Sequence, residues 1–129
     1  MSKQVVRTEE APAPFQGAPY NQAIVANGFV FVAGQLGIDP GSGQVVEGGI
    51  SSQTERVFAN LEAILVAAGS SLDAVVKTTV FLTNLADFAG MNEVYARSIG
   101  GAPPARSTVE VGRLPAGALV EIEAVALAS

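Results

Sequence analysis

The sequence predicts an α+β domain, a mixed β-sheet with two helices packed on one of its faces. Three observations lead there. Runs of β-branched and aromatic residues are punctuated by Gly and Pro in the order β-β-β-α-β-α-β-β. Two segments carry apolar residues at helical spacing. Hydrophobic residues make up 49% of the 129 positions and charged residues only 15%, enough for a core with apolar surface to spare. Strands and helices connected this way fold with the helices on one sheet face. The other face needs a cover. With no third layer of helix in the chain, another copy of the same sheet is the simplest cover. One domain, 1–129, is expected at this length.

Each element has its own signal. Val5-Val6 forms a short first strand. The Pro- and Gly-dense stretch from Ala11 to Pro19 is loop. Tyr20 to Ala26 and Phe29 to Gly34 flank Asn27-Gly28, the dipeptide of a type I′ hairpin turn. Asp39 to Gln44 is a second turn. Ser52-Gln-Thr-Glu55 reads as a capping box. Behind it Val57, Phe58, Leu61, Ile64, Leu65 and Ala68 fall on one helical face, and Gly69 closes the helix. Ala74 to Thr83 is a β-branched strand. Asn84 to Asp87 opens a second helix with Phe88, Met91, Val94, Tyr95 and Ile99 as its inner stripe. Gly100-Gly101 ends it, and Pro103-Pro104 prevents its resumption. The last two strands, around Arg106 and around Glu121, are expected to pair as a hairpin with Val111 near Ala118. That register sets Arg106 opposite Glu123 and diagonal to Glu121.

Composition excludes much chemistry. The chain has no Cys and no His, so thiol nucleophiles, disulfides, histidine bases and the usual zinc sites are absent. Seven Lys and Arg are scattered against twelve Asp and Glu, for a net charge of -5, which disfavours a nucleic-acid partner. The N-terminal MSKQVVRTEEAPAP lacks an apolar core with a cleavage site, and no apolar run is long enough to span a membrane. A soluble cytoplasmic protein is expected.

Chemistry must then run on carboxylates, arginine, hydroxyls, backbone dipoles and water. Arg106 follows a rigid Pro-Pro-Ala lead. It suits either an ion pair with Glu123 or Glu110 or a clamp for a ligand carboxylate, whose two oxygens match the guanidinium fork. Glu121 and Glu123 share a strand face. They suit either cross-strand pairing or the holding of a water. Tyr20 starts a strand, and Gly34 permits a close backbone approach at the Ala33-Gly34-Gln35 bend.

Several segments together resemble the RidA (YjgF/UK114-type) family of imine deaminases. They are Gly17-Ala-Pro-Tyr-Asn-Gln-Ala23, Phe31-Val-Ala-Gly-Gln35, Val76-Lys-Thr-Thr-Val80, Asp87-Phe88 with Asn92 and Tyr95, Pro104-Ala-Arg-Ser-Thr-Val-Glu-Val111, Leu114-Pro115 and Val120-Glu-Ile-Glu-Ala124. They span nearly the whole chain in order. The resemblance implies a chorismate-mutase-like fold and a homotrimer with sheets inward and clefts between subunits. It implies hydrolysis of enamines and imines such as 2-aminoacrylate to 2-keto acids and ammonia, without metal or organic cofactor. It assigns the substrate carboxylate to Arg106 and the attacking water to Glu121, with Tyr20, Gly34 and Asn92 lining the cleft. Thr108 stands where many members carry Cys, Ala33 where Ser is usual, and Leu36-Gly37 where Ile-Pro is common. These departures bear on substrate range. Two other activities are weighed against hydrolysis. One is a small-molecule-binding or chaperone-like trimer without catalysis. The other is a ribonuclease or translation inhibitor, which the charge and the missing histidine disfavour.

Overall fold

The computed structural model describes residues 2–129. Its strands are β1 (Gln4–Val6), β2 (Ala23–Ala26), β3 (Phe29–Leu36), β4 (Val75–Leu82), β5 (Ala105–Glu110) and β6 (Val120–Leu127). Its helices are α1 (Gly49–Ala67) and α2 (Phe88–Ile99). They occur in the expected order. The strands form one mixed sheet in the spatial order β1-β2-β3-β6-β4-β5. All neighbours are antiparallel except β4 and β5, which run parallel.

Both helices lie on one face. Alternate residues of the central strands, Val30 and Val32, Val80 and Leu82, Val120 and Ile122, pack against Val57, Leu61, Ile64 and Leu65 of α1 and Met91 and Tyr95 of α2. The opposite face carries Phe29, Phe31, Val109 and Leu127, all exposed in a single chain. The fold is therefore α+β with helices on one side only, as the periodicities indicate.

Local chemistry accounts for the joints. Asn27 and Gly28 both have positive φ, 52° and 83°, and turn β2 into β3. At the end of α1, Ser70 N–H donates to the Leu65 carbonyl at 2.8 Å and Gly69 N–H to that of Val66 at 2.9 Å, a Schellman closure. The start of α1 differs from expectation. The helix begins at Gly49 behind Gly48, and no side chain caps it. Ser52 sits inside the first turn, so the capping-box pattern is not used as a cap.

The final hairpin does not form. β4 lies between β5 and β6, so the last two strands never pair. Arg106 is in register with Thr78, and Glu123 with Thr79. The expected cross-strand pairing of Arg106 with Glu123 is thus overturned. The connection from Glu110 to Val120 carries Gly112, Pro115 and Gly117 and is too long for a tight hairpin turn. Meanwhile α2 bridges β4 to β5, and only a crossover of that length joins parallel neighbours.

Three buried amides hold irregular backbone in place. Gln22 Nε2 donates toward the carbonyls of Thr8, Ala11 and Pro12 at 3.0, 3.2 and 2.8 Å, and its Oε1 accepts from Thr8 N–H at 2.8 Å. Asn60 Nδ2 donates to the Leu36 and Ile38 carbonyls at 3.1 and 2.9 Å. Gln53 Oε1 accepts from Leu119 N–H at 2.8 Å. Each satisfies backbone groups that no strand partner reaches. Among the described residues no helix is long and apolar enough to cross a membrane.

Candidate functional site

The residues singled out from sequence fall into two groups, one at the sheet edge and one in its interior. The edge group is built on β5. Arg106 is paired with Thr78, and Thr78 faces the helices, where its hydroxyl shares a 2.6 Å hydrogen bond with the Tyr95 hydroxyl. Paired residues point to the same face, so Arg106 and, two residues on, Thr108 also face the helices. The Arg106 guanidinium carbon lies 4.7 Å from the Tyr95 ring centroid and 5.5 Å from that of Phe88.

Among the described residues no carboxylate lies within 4 Å of the Arg106 guanidinium. Among the described residues the ion pair within 4 Å is that of Arg97 with Glu55, at 3.2 Å and well exposed. Glu110, the other expected partner, instead accepts from Leu85 N–H at 2.8 Å. Asn92 lies one turn beyond Phe88 and one turn before Tyr95, hence on the helix face those rings share. Its Oδ1 and the Thr108 Oγ1 are buried without a hydrogen-bond partner. Unsatisfied buried polar atoms are uncommon. Here two of them accompany a guanidinium free of carboxylates.

The interior group is built on β3 and β6. Val120 and Ile122 enter the core, so Glu121 and Glu123 project from the opposite, helix-free face. Glu121 is in register with Leu36 and lies against Gly34. A Cβ at position 34 would overlap the Glu121 carboxyl group, standing 2.9 Å from its Cδ. Only glycine leaves the carboxylate in that place. The strand irregularity between Val32 and Gln35 sets this approach.

Around Glu121 opens a cleft of about 370 Å³, lined by Phe15, Tyr20, Ala33, Gly34 and Pro115. The Tyr20 hydroxyl accepts the Phe15 N–H at 2.6 Å, which fixes ring and loop together. Burial, and then the nearby Glu123 carboxylate, push the Glu121 pKa above the ordinary carboxylate value. A carboxylate moved in that direction is a better proton acceptor.

Tyr20, Ala33, Gly34 and Glu121 are therefore brought together, and so are Asn92, Arg106 and Thr108. The two groups are not brought to each other. They occupy opposite faces of the sheet, on strands separated by β4; Arg106 and Glu121 are two strand spacings apart and three residues apart along the strands, about 14 Å in all. Phe88, expected in the inner stripe of α2, is 41% exposed beside Arg106 rather than in the core. Its role was legible only as a ring two turns from Tyr95. Among the described residues no group of three or more acidic side chains gathers as a metal site.

Comparison with known proteins identifies the family. The family profile described as endoribonuclease L-PSP matches residues 8–128. A RutC family protein of Pyrococcus abyssi is 54% identical over 126 residues, covering 98% of each chain. The mouse protein named 2-iminobutanoate/2-iminopropanoate deaminase is 42% identical over 125 residues, covering 97% of this chain and 91% of its own. The crystal structure of RidA from a Psychrobacter species superposes with a TM-score of 0.91 at 44% identity, covering 96% of this chain and 98% of its own. Some members of the family are thus named for deamination and the family profile for RNA cleavage, over one shared fold. With matches of this extent, the chain belongs to the RidA/RutC family, whose profile is described as endoribonuclease L-PSP.

Proposed function

We propose that the protein is an enamine/imine deaminase, hydrolysing 2-aminoacrylate-type imino acids to 2-keto acids and ammonia in clefts between copies of the chain. The observation that carries this reading is the division of the site. Arg106 with the unsatisfied Asn92 and Thr108 atoms lies on one sheet face, and the proton-accepting Glu121 with Gly34 and Tyr20 on the other. Neither set suffices alone for a small imino acid. A second copy bringing its edge to the first copy's helix-free face supplies both, and the exposed Phe29, Phe31 and Leu127 give that face apolar surface to bury. A homotrimer closes such a repeated contact without leaving an open end.

The chemistry then follows. The Arg106 fork pairs with the substrate carboxylate and orients the imine. An enamine first tautomerises to the imine. Water, with its proton directed to the Glu121 carboxylate, attacks the C=N carbon, and the π electrons move to nitrogen. The proton passes to that nitrogen to give the carbinolamine; its hydroxyl proton is then relayed to the amine, the C=O bond forms as the C–N bond breaks, and ammonia leaves a 2-keto acid. Neighbouring Asn92 and Thr108 offer hydrogen bonds to the polar atoms. Every step needs orientation and charge, which these residues provide without thiol or imidazole.

The test couples the protein to an amino-acid oxidase and follows trapping of the imino acid against keto-acid release. Acceleration by the native chain is expected, and Arg106→Ala should reduce it by on the order of 10²–10³-fold. The variant should keep its circular dichroism and a solution mass of three times the 13.1 kDa chain. Equal rates for the two proteins would sink the reading. RNA cleavage is disfavoured by the net charge of -5 and the absence of histidine.

A further inference from the structure

Arg106 has no carboxylate partner, yet its guanidinium has a defined position between two aromatic rings. The rings belong to Phe88 and Tyr95, seven residues apart on α2, two turns or about 10.5 Å along the helix. A guanidinium 5.5 Å from one centroid and 4.7 Å from the other sits between them. The two rings are held differently. Tyr95 is buried, edge-on to Phe58 at 5.3 Å with an interplanar angle of 85°, and tied through its hydroxyl to Thr78. Phe88 opens the helix, is 41% exposed and has no place in the core.

We propose that Phe88 and Tyr95 are positioning residues for Arg106, Tyr95 as the fixed wall and Phe88 as the closing one. Ring faces attract a cation through their quadrupole and accept none of its in-plane hydrogen bonds. A carboxylate partner would hold the side chain equally well but would occupy the fork that a ligand needs. The aromatic pair restrains the long, many-rotamer side chain and leaves its N–H groups for a ligand carboxylate. This explains why Glu110 is turned away to Leu85 N–H and why a large apolar residue is exposed at the start of α2. The inference deepens the carboxylate-clamp reading and rests on it for the ligand, whereas the restraint itself is a property of the free protein.

The experiment therefore reads the free protein first. In the native chain the Arg106 Nε–H signal should be displaced upfield by the ring currents and show slow internal motion, unlike that of the exposed Arg113. Phe88→Leu should weaken the upfield shift to the part that Tyr95 supplies and speed the internal motion, and Phe88→Tyr should restore both. Affinity for 2-oxobutanoate, a stable keto acid, should fall about 2- to 30-fold in Phe88→Leu and recover in Phe88→Tyr. An Arg106 signal as mobile as that of Arg113, or one unchanged by Phe88→Leu, overturns the positioning role whatever the ligand does. An ordered, ring-shifted Arg106 with 2-oxobutanoate affinity indifferent to Arg106→Ala leaves the restraint standing and overturns the carboxylate reading instead.

Discussion

The β5 edge and the β3/β6 interior solve opposite problems. At the edge a charged side chain is kept open. Arg106 is held by ring faces, with no acid to neutralise it. In the interior a charged side chain is made uncomfortable. Glu121 is pressed against Gly34, partly buried and next to Glu123, and its pKa rises. One region presents a permanent cation, the other a base with a raised appetite for a proton. Within one chain the sheet holds the arginine and the carboxylate apart, and in the proposed site they meet only between copies, with a ligand between them.

Mixing two crippled chains breaks or sharpens this comparison most decisively. Arg106→Ala and Glu121→Gln should each be nearly inactive alone. Co-refolded in equal amounts, they should regain about a quarter of the native sites if each site takes Arg106 from one copy and Glu121 from the next around a ring. A site built within one chain would regain none. Smaller in effect is Gly34→Ala, which forces the Glu121 carboxyl to move. The displaced group is the mobile end of a cleft-lining side chain, so the melting temperature should change little, while turnover should drop by on the order of 10-fold with 2-oxobutanoate affinity at the Arg106 edge less affected. Melting curves and binding isotherms on the same preparation separate the two effects.

The smallest expected effect is on stability. A carboxyl whose pKa is raised by folding contributes stability that is present below its unfolded pKa and lost as the pH climbs through its folded pKa. Wherever Glu121 is ionised, its carboxylate is therefore a burden on the fold. Glu121→Gln should melt higher than the native chain at pH 7, and the difference should vanish below the ordinary carboxylate range. An unchanged or lower melting temperature at pH 7 would mean that the carboxylate is already solvated or paired.

Much of the fold was legible because it is local. Helical spacing marked α1 and α2, Asn27-Gly28 marked the hairpin and Gly69 the closure of α1. Alternation also placed Arg106 with Thr108 and Glu121 with Glu123 on shared faces. What it left unset was which face each strand turns toward the helices, since that depends on a partner far away in sequence. β5 pairs with β4 across α2, and nothing within β5 or β6 announces that. The Ser52–Glu55 pattern misled for a related reason, since the preceding Gly48-Gly49 turn lets the helix start earlier. The amides of Gln22, Asn60 and Gln53 passed unnoticed because a buried polar side chain has no sequence signature beyond its own identity.

The opposition of Arg106 and Glu121 across the sheet also bears on how such a protein can change over time. Each face is exposed to its own selection. If sites form between copies as proposed, a copy that lost its arginine would still lend a carboxylate to a neighbour, and a copy that lost its carboxylate would still lend an arginine. Duplicated chains could therefore drift into distinct, mutually dependent subunits, each folding alone and neither competent alone, without any change to the core they share.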